Sequence, residues 1–136
     1  MNEELYGEAI KDLAAREPVV LDGADASATL DNPLCGDRVT LDVRMEGGRV
    51  AAIGHRVKGC LLCKAAATLA AGTAPGLGAE GAARLLDQVS NMLKTGAEPA
   101  LPALAAFIPV RPHKSRHACV LLPFKALAKV LAAPIP

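Results

Sequence analysis

Residues 39–50 read VTLDVRMEGGRV, and the period of this stretch decides how the chain folds. Val39, Leu41, Val43 and Met45 alternate with Thr40, Asp42 and Arg44, which places the apolar side chains on one face of an extended strand. Glu46-Gly47-Gly48 predicts a hairpin turn, because glycine takes up the positive φ of a tight turn without a steric penalty. Arg49 to Val57 is then the returning strand. Upstream, Ala28-Thr29-Leu30 before Asn32-Pro33 supplies a third, so this part of the chain reads as a small antiparallel meander.

Beyond Gly59 the apolar spacing becomes helical. Helices are predicted over about 61–71, 79–94, 100–108 and 116–132, separated by Gly/Pro breaks at 72–78, 96–99 and 109–112. Pro123 should kink the last of these, since it removes a donor one turn after Cys119. Ahead of the sheet, Asn2 is placed to cap a first helix with Glu3 and Glu4 in its opening turn. Leu5, Ala9 and Leu13 share a face of that helix, Tyr6 and Ile10 lie beside it, and Pro18 ends it. Residues 17–27 read as loop, with a short extended piece around Val19 to Leu21. The fold class is therefore α+β: an N-terminal helix, a three-stranded antiparallel sheet, then a layer of about four helices over one face, in a single domain spanning residues 1–136.

Composition narrows the function. The chain has 136 residues, 51% of them hydrophobic, yet only one Tyr, two Phe and no Trp. Its core must be built from Leu, Val, Ile and Ala. With 15 basic and 14 acidic residues the formal charge is +1, so no field favours nucleic acid or an anionic membrane. So few aromatics also leave no platform for base stacking. The opening MNEELYGEAIKDL is acidic and amphipathic, unlike a signal peptide, and no run approaches the roughly 20 apolar residues that cross a bilayer. A cytoplasmic protein is expected, and there thiols stay reduced.

The four cysteines, Cys35, Cys60, Cys63 and Cys119, then read as ligands or nucleophiles more readily than as disulfides. Cys60 stands at the strand-to-helix junction and Cys119 in the first turn of the last helix, where the helix dipole favours a thiolate. Cys35 and Asp37 flank Gly36 in a tight corner after Asn32-Pro33. Three thiolates with a carboxylate suit a tetrahedral zinc ion, and cysteines with one other donor suit an iron–sulfur cluster. Spacing alone leaves the matter open. Separations of 25 and 59 residues match no zinc-knuckle pattern, and a small buried apolar residue fits each position as well as a ligand does. The Cys60-Leu61-Leu62-Cys63 quartet is equally open: a redox dithiol, half of a zinc site, or one ligand with a bystander.

Three motifs in order resolve this by resemblance. Asn32-Pro33-Leu34-Cys35-Gly36-Asp37, Gly59-Cys60 before a helix of small residues, and Arg116-x-x-Cys119 followed by Leu122-Pro123-Phe124 and Ala126-Leu127 resemble the U-type iron–sulfur cluster assembly proteins, the NifU N-terminal/IscU/SufU family. Leu5-Tyr6-x-Glu8-x-Ile10-x-Asp12 is similar to the family's first helix, and the long gap between Cys60 and Cys119 resembles the SufU-like branch. Where the family carries an aromatic and a glycine before the Gly-Cys pair, this chain has His55 and Val57. Ala118 stands where a basic residue often precedes the third cysteine, and His117 lies two before it.

The resemblance implies a scaffold that binds iron or a nascent, transient Fe–S cluster through Cys35, Asp37, Cys60 and Cys119 and passes it to acceptor or carrier proteins, itself not an enzyme. It also allows a zinc-bound sulfur acceptor for a cysteine desulfurase, a sulfurtransferase with Cys119 as the receiving thiol, exposed beside the basic RPHKSRHAC loop. Cys63 stands where the family often has serine and reads as a bystander or auxiliary thiol. His113 and His117 belong to a loop that is either solvated or a docking patch, and His55 reads as a surface or core residue. A cluster bridging two chains would make a homodimer. A C-x-x-C thiol-disulfide oxidoreductase and a purely structural zinc domain are the competing classes.

Overall fold

A computed structural model describes residues 7–34 and 36–132. Along the chain run α1 (Glu8–Ala15), β1 (Ala26–Asn32), β2 (Asp37–Glu46), β3 (Arg49–Lys58), α2 (Leu61–Thr73), α3 (Ala79–Thr95), two 3-10 segments (Pro102–Val110 and Lys114–Arg116) and α4 (His117–Ala132). The strands form one antiparallel sheet in the order β1-β2-β3. This is the α+β arrangement expected of the sequence.

The alternation in β2 sets the sheet's inner face. Val39, Leu41 and Val43 are fully buried, Thr40 and Asp42 between them are half-buried, and Arg38 and Arg44 on either side are exposed. Gly47 and Gly48 both have positive φ, 59° and 78°, the combination a two-residue I′ hairpin requires. β2 pairs with β3 from Arg38↔Lys58 to Glu46↔Arg49, with one register step between Arg44 and Met45. β1 pairs with β2 from Ala26↔Val43 to Asn32↔Asp37.

Helices α2 and α4 pack on the inner face, α2 toward β3 and α4 toward β1 and β2; α1 lies against α2, and α3 against α4. α2 is buried nearly all round through Leu62, Cys63, Ala65, Ala66, Ala67, Leu69 and Ala70. Its small side chains let it sit between α1 and α4 at close range. The two phenylalanines, Phe107 and Phe124, are both fully buried and supply what aromatic bulk the core has.

Two details differ from the sequence reading. α1 starts at Glu8 after an extended Gly7, and the expected cap Asn2, together with Glu3, Glu4, Leu5 and Tyr6, lies outside the described residues. The helix expected over 100–108 is instead 3-10 from Pro102 to Val110, with Pro109 inside it. Proline withholds an N–H and fixes φ, which favours the tighter, short-range turn over a full α-helix. α4 runs without a break through Pro123.

The extended piece around Val19 to Leu21 runs along the free edge of β3. His55 N–H donates to the Val19 carbonyl at 3.1 Å. Gly54 permits that approach, because a Cβ there would meet Leu21 Cβ and the Val19 carbonyl oxygen at 2.8 Å. Among the described residues, no helix is long and apolar enough to cross a membrane.

Candidate metal centre

Asp37 opens β2 on the same face as Val39 and Leu41, so strand parity points its carboxylate into the helix layer, where it is 1% exposed. The antiparallel pairing brings the start of β2 beside the end of β3. Cys60, two residues past β3, is the N-cap of α2, and its Sγ accepts the Cys63 backbone N–H at 3.4 Å. Asp37 grips Cys60 twice. Its Oδ1 accepts the Cys60 backbone N–H at 2.9 Å, and the Cys60 thiol faces Oδ2 at 3.6 Å. Gly59 leaves the room for this, since a Cβ there would sit 2.8 Å from the Asp37 carboxyl carbon, inside any real contact distance.

Cys119 enters from the first turn of α4, and the ligand atoms of Asp37, Cys60 and Cys119 all lie within 4.8 Å of one another. In a tetrahedral zinc site with Zn–S bonds of about 2.3 Å, neighbouring donors are about 3.8 Å apart. Cys60 Sγ and Asp37 Oδ2, 3.6 Å apart, are already at that spacing, and the Cys119 thiol lies within 4.8 Å of both residues' donors. A thiol half-buried beside a carboxylate is poorly placed to ionise without a cation. Accordingly the Cys60 thiol is pushed up, first by burial and further by the Asp37 charge, against the lowering effect of the Cys63 N–H and the Cys119 side chain. A metal ion reverses this balance, replacing the protons with its own charge.

The sequence-predicted residues therefore divide. Asp37, Cys60 and Cys119 are brought together; Cys35 lies outside the described residues, in the loop between Asn32 and Asp37. Asn32 shapes the loop as an Asx turn, accepting the Leu34 N–H on Oδ1 at 3.1 Å and the Gly36 N–H on its carbonyl at 2.8 Å. The expectation that Cys119 is exposed is overturned: it is 1% exposed, because α4 turns it inward against the sheet and α2. Cys63 lies wholly in the core, which removes the accessible partner a thiol-exchanging C-x-x-C needs, and the sheet beside it is antiparallel throughout.

His117 is buried with Nε2 2.9 Å from the Arg111 carbonyl, outside the three-donor group. Arg111 in the basic loop is structural: its guanidinium donates to the Met92 and Ala97 carbonyls at 2.7 and 2.6 Å, tying down the end of α3. The tight corner expected after Asn32-Pro33 is present, closed by the Asn32 side chain and carbonyl. Sequence reasoning did not anticipate the clearing role of Gly59, which stood in its motif as pattern without a cause.

A family profile described as NifU-like N terminal domain matches residues 14–105. Among solved structures, the chain is similar to a nitrogen-fixing NifU-like protein (N-terminal) from Brucella abortus, with TM-score 0.86 and 32% identity over 96% of this chain and 94% of that one. It shares its fold with a putative iron–sulfur cluster assembly scaffold protein for the SUF system from Fervidobacterium islandicum AW-1, with TM-score 0.86 and 24% identity over 96% of this chain and 99% of that one. A third, a hypothetical protein, superposes with TM-score 0.79 at 26% identity over 97% of this chain and 100% of that one. No curated protein matches the chain.

Proposed function

From the premise that this chain belongs to the NifU-like N-terminal domain family, we propose that it is an iron–sulfur cluster assembly scaffold, receiving iron and sulfur and handing the product to acceptor proteins. The observation that carries this reading is the convergence of a buried Asp37, a half-buried Cys60 and a buried Cys119, three donors on three separate elements. Cys35 is the proposed fourth donor. In this reading the two described thiols are the soft ligands, and Asp37 is the hard oxygen donor that binds iron less firmly than a further thiolate would. Such a mixed set suits cargo that has to leave.

A cysteine desulfurase is the proposed sulfur source. Leu34 is 94% exposed and Leu61 37% exposed, one next to Cys35 in the chain and the other next to Cys60, so apolar surface is available to a partner at the site. The test is anaerobic reconstitution with ferrous iron, cysteine and a desulfurase. Charge-transfer absorption should develop, transfer to an apo-acceptor, and fall on Cys35→Ala, Cys60→Ala or Cys119→Ala. A protein that stays colourless with all three thiols intact would sink the proposal.

The tight grouping of the three donors, within 4.8 Å, favours one further reading: a single zinc ion held as part of a sulfur-acceptor site. Cys119 is then the receiving thiol, reached once the partner uncovers it. Stoichiometric zinc in freshly purified protein and faster desulfurase turnover in its presence support this reading; zinc-free protein that leaves turnover unchanged rules it out.

A further inference from the structure

Away from Asp37, Cys60 and Cys119, a cleft of about 230 Å³ opens between the end of α1, β3 and α2. His55 forms part of its wall at only 5% exposure, and His55 Nδ1 is a fully buried polar atom with no hydrogen-bond partner. Buried polar atoms are almost always paired, and an apolar ring in the same place would leave nothing unsatisfied. A histidine kept there is explained if its other nitrogen is used. A proton on the sealed Nδ1 would have no acceptor, so the neutral ring carries it on Nε2, as a hydrogen-bond donor. Burial holds His55 below the usual histidine range, which keeps the ring neutral near pH 7.

The rest of the lining sets the ligand's chemistry. Arg16 and Lys64 bring two cationic side chains against the single carboxylate of Glu17, so the cleft is electropositive. Ala14 and Val57 give it an apolar wall. The Thr68 hydroxyl is already engaged, donating to the Lys64 carbonyl at 3.1 Å, and does not compete for the ligand. The volume falls below the roughly 300–1,000 Å³ of sites for drug-sized ligands.

We propose that this cleft is a binding site for a small organic carboxylate with a short apolar body, its anionic end taken by Lys64, Arg16 and the His55 N–H and its apolar end lying against Ala14 and Val57. The site is one turn of α2 from Cys60, whose carbonyl accepts the Lys64 N–H at 3.0 Å, yet it uses none of the metal-centre donors. It stands independently of the cluster-assembly reading and is tested on the metal-free full chain.

Isobutyrate is the probe, with inorganic phosphate as the competing anion, and binding is followed by NMR of the His55 ring and the Lys64 ammonium. Isobutyrate should produce saturable shifts at both residues. His55→Phe, which retains a flat ring of similar shape, and Lys64→Met should each weaken binding by about tenfold. Lys64 is exposed, so that variant carries the test even if His55→Phe fails to fold. Absence of a saturable shift with isobutyrate, equal affinity in Lys64→Met, or phosphate binding the same residues as tightly would each overturn the proposal.

Discussion

The carboxylate of Asp37 holds the backbone N–H of Cys60 on one oxygen, at 2.9 Å, and faces the thiol of the same residue with the other, at 3.6 Å. One side chain at the start of β2 thus fixes the position of a donor at the start of α2 and adds to the burial that keeps its thiol protonated.

The clearance at Gly59 makes the first prediction. In Gly59→Ala the new methyl group would overlap the Asp37 carboxylate, and one of the two must move. Forcing extra volume into a packed site costs about 1–3 kcal/mol. Urea melts of the metal-free protein should show that loss, and cobalt(II) titration should show weaker thiolate-to-metal absorption. Unchanged cobalt binding would show that the Asp37–Cys60 contact is not what shapes the site.

Metal affinity should rise with pH. Cys60 in the metal-free protein holds its proton above the usual thiol range, so the ion must displace it. Each proton released makes apparent affinity climb about tenfold per pH unit until the thiol ionises by itself. Asp37→Asn keeps an acceptor for the Cys60 N–H but removes the charge, so Cys60 should ionise at lower pH, as read by ultraviolet thiolate absorbance. The same shift has a stability side. Because the folded pKa is raised, Cys60's contribution is complete below the ordinary thiol range and is lost as pH rises from there through the higher folded value.

Histidine 55 gives the opposite slope. Its folded pKa is depressed by burial, so protonation favours the unfolded chain, and stability falls as pH drops from about 7 to 5. His55→Phe should flatten that part of the profile and raise stability near pH 7 by roughly 1 kcal/mol, since the unpaired nitrogen is gone. Thermal melts of both proteins across the range decide it. Parallel profiles would mean other groups carry the acid sensitivity.

Cys63 separates a ligand from its neighbour. What it gives Cys60 is its backbone N–H, which any side chain leaves in place. Cys63→Ser should cost about 1–3 kcal/mol by placing a hydroxyl in the core, while cobalt binding persists. Cys60→Ser should keep the fold and lose the metal signal. Equal loss of cobalt binding in both would restore the pair as a functional unit.

Much of this was readable in the residues. Alternation at Val39, Leu41 and Val43 gave the inner face of the sheet, and two glycines in succession gave the hairpin with no tertiary information needed. The metal centre was only half legible. The grouping of Asp37, Cys60 and Cys119 came from the motifs, because their separations in sequence say nothing about distance; the strand register that joins Asp37 to Cys60 is a property of the folded sheet. Burial of Cys119 was hidden for the same reason. Which side of α4 faces inward depends on where α2 and the sheet stand, and the helix is apolar over so much of its surface that its sequence does not say. His55 was left open between surface and core by one ambiguity: a polar residue on a strand is placed only once parity with Leu41, its partner across the ladder, is known.

The order in which the donors appear along the chain separates two kinds of contact. Asp37 and Cys60 meet across a hairpin, close in sequence, whereas Cys119 belongs to the last helix. An ion bridging Cys60 and Cys119 would act as a clasp across the long, mostly helical segment between them, tying the final helix to the meander. Cargo leaving the site would then unfasten that clasp, and amide hydrogen exchange in α4 would record loading and unloading directly.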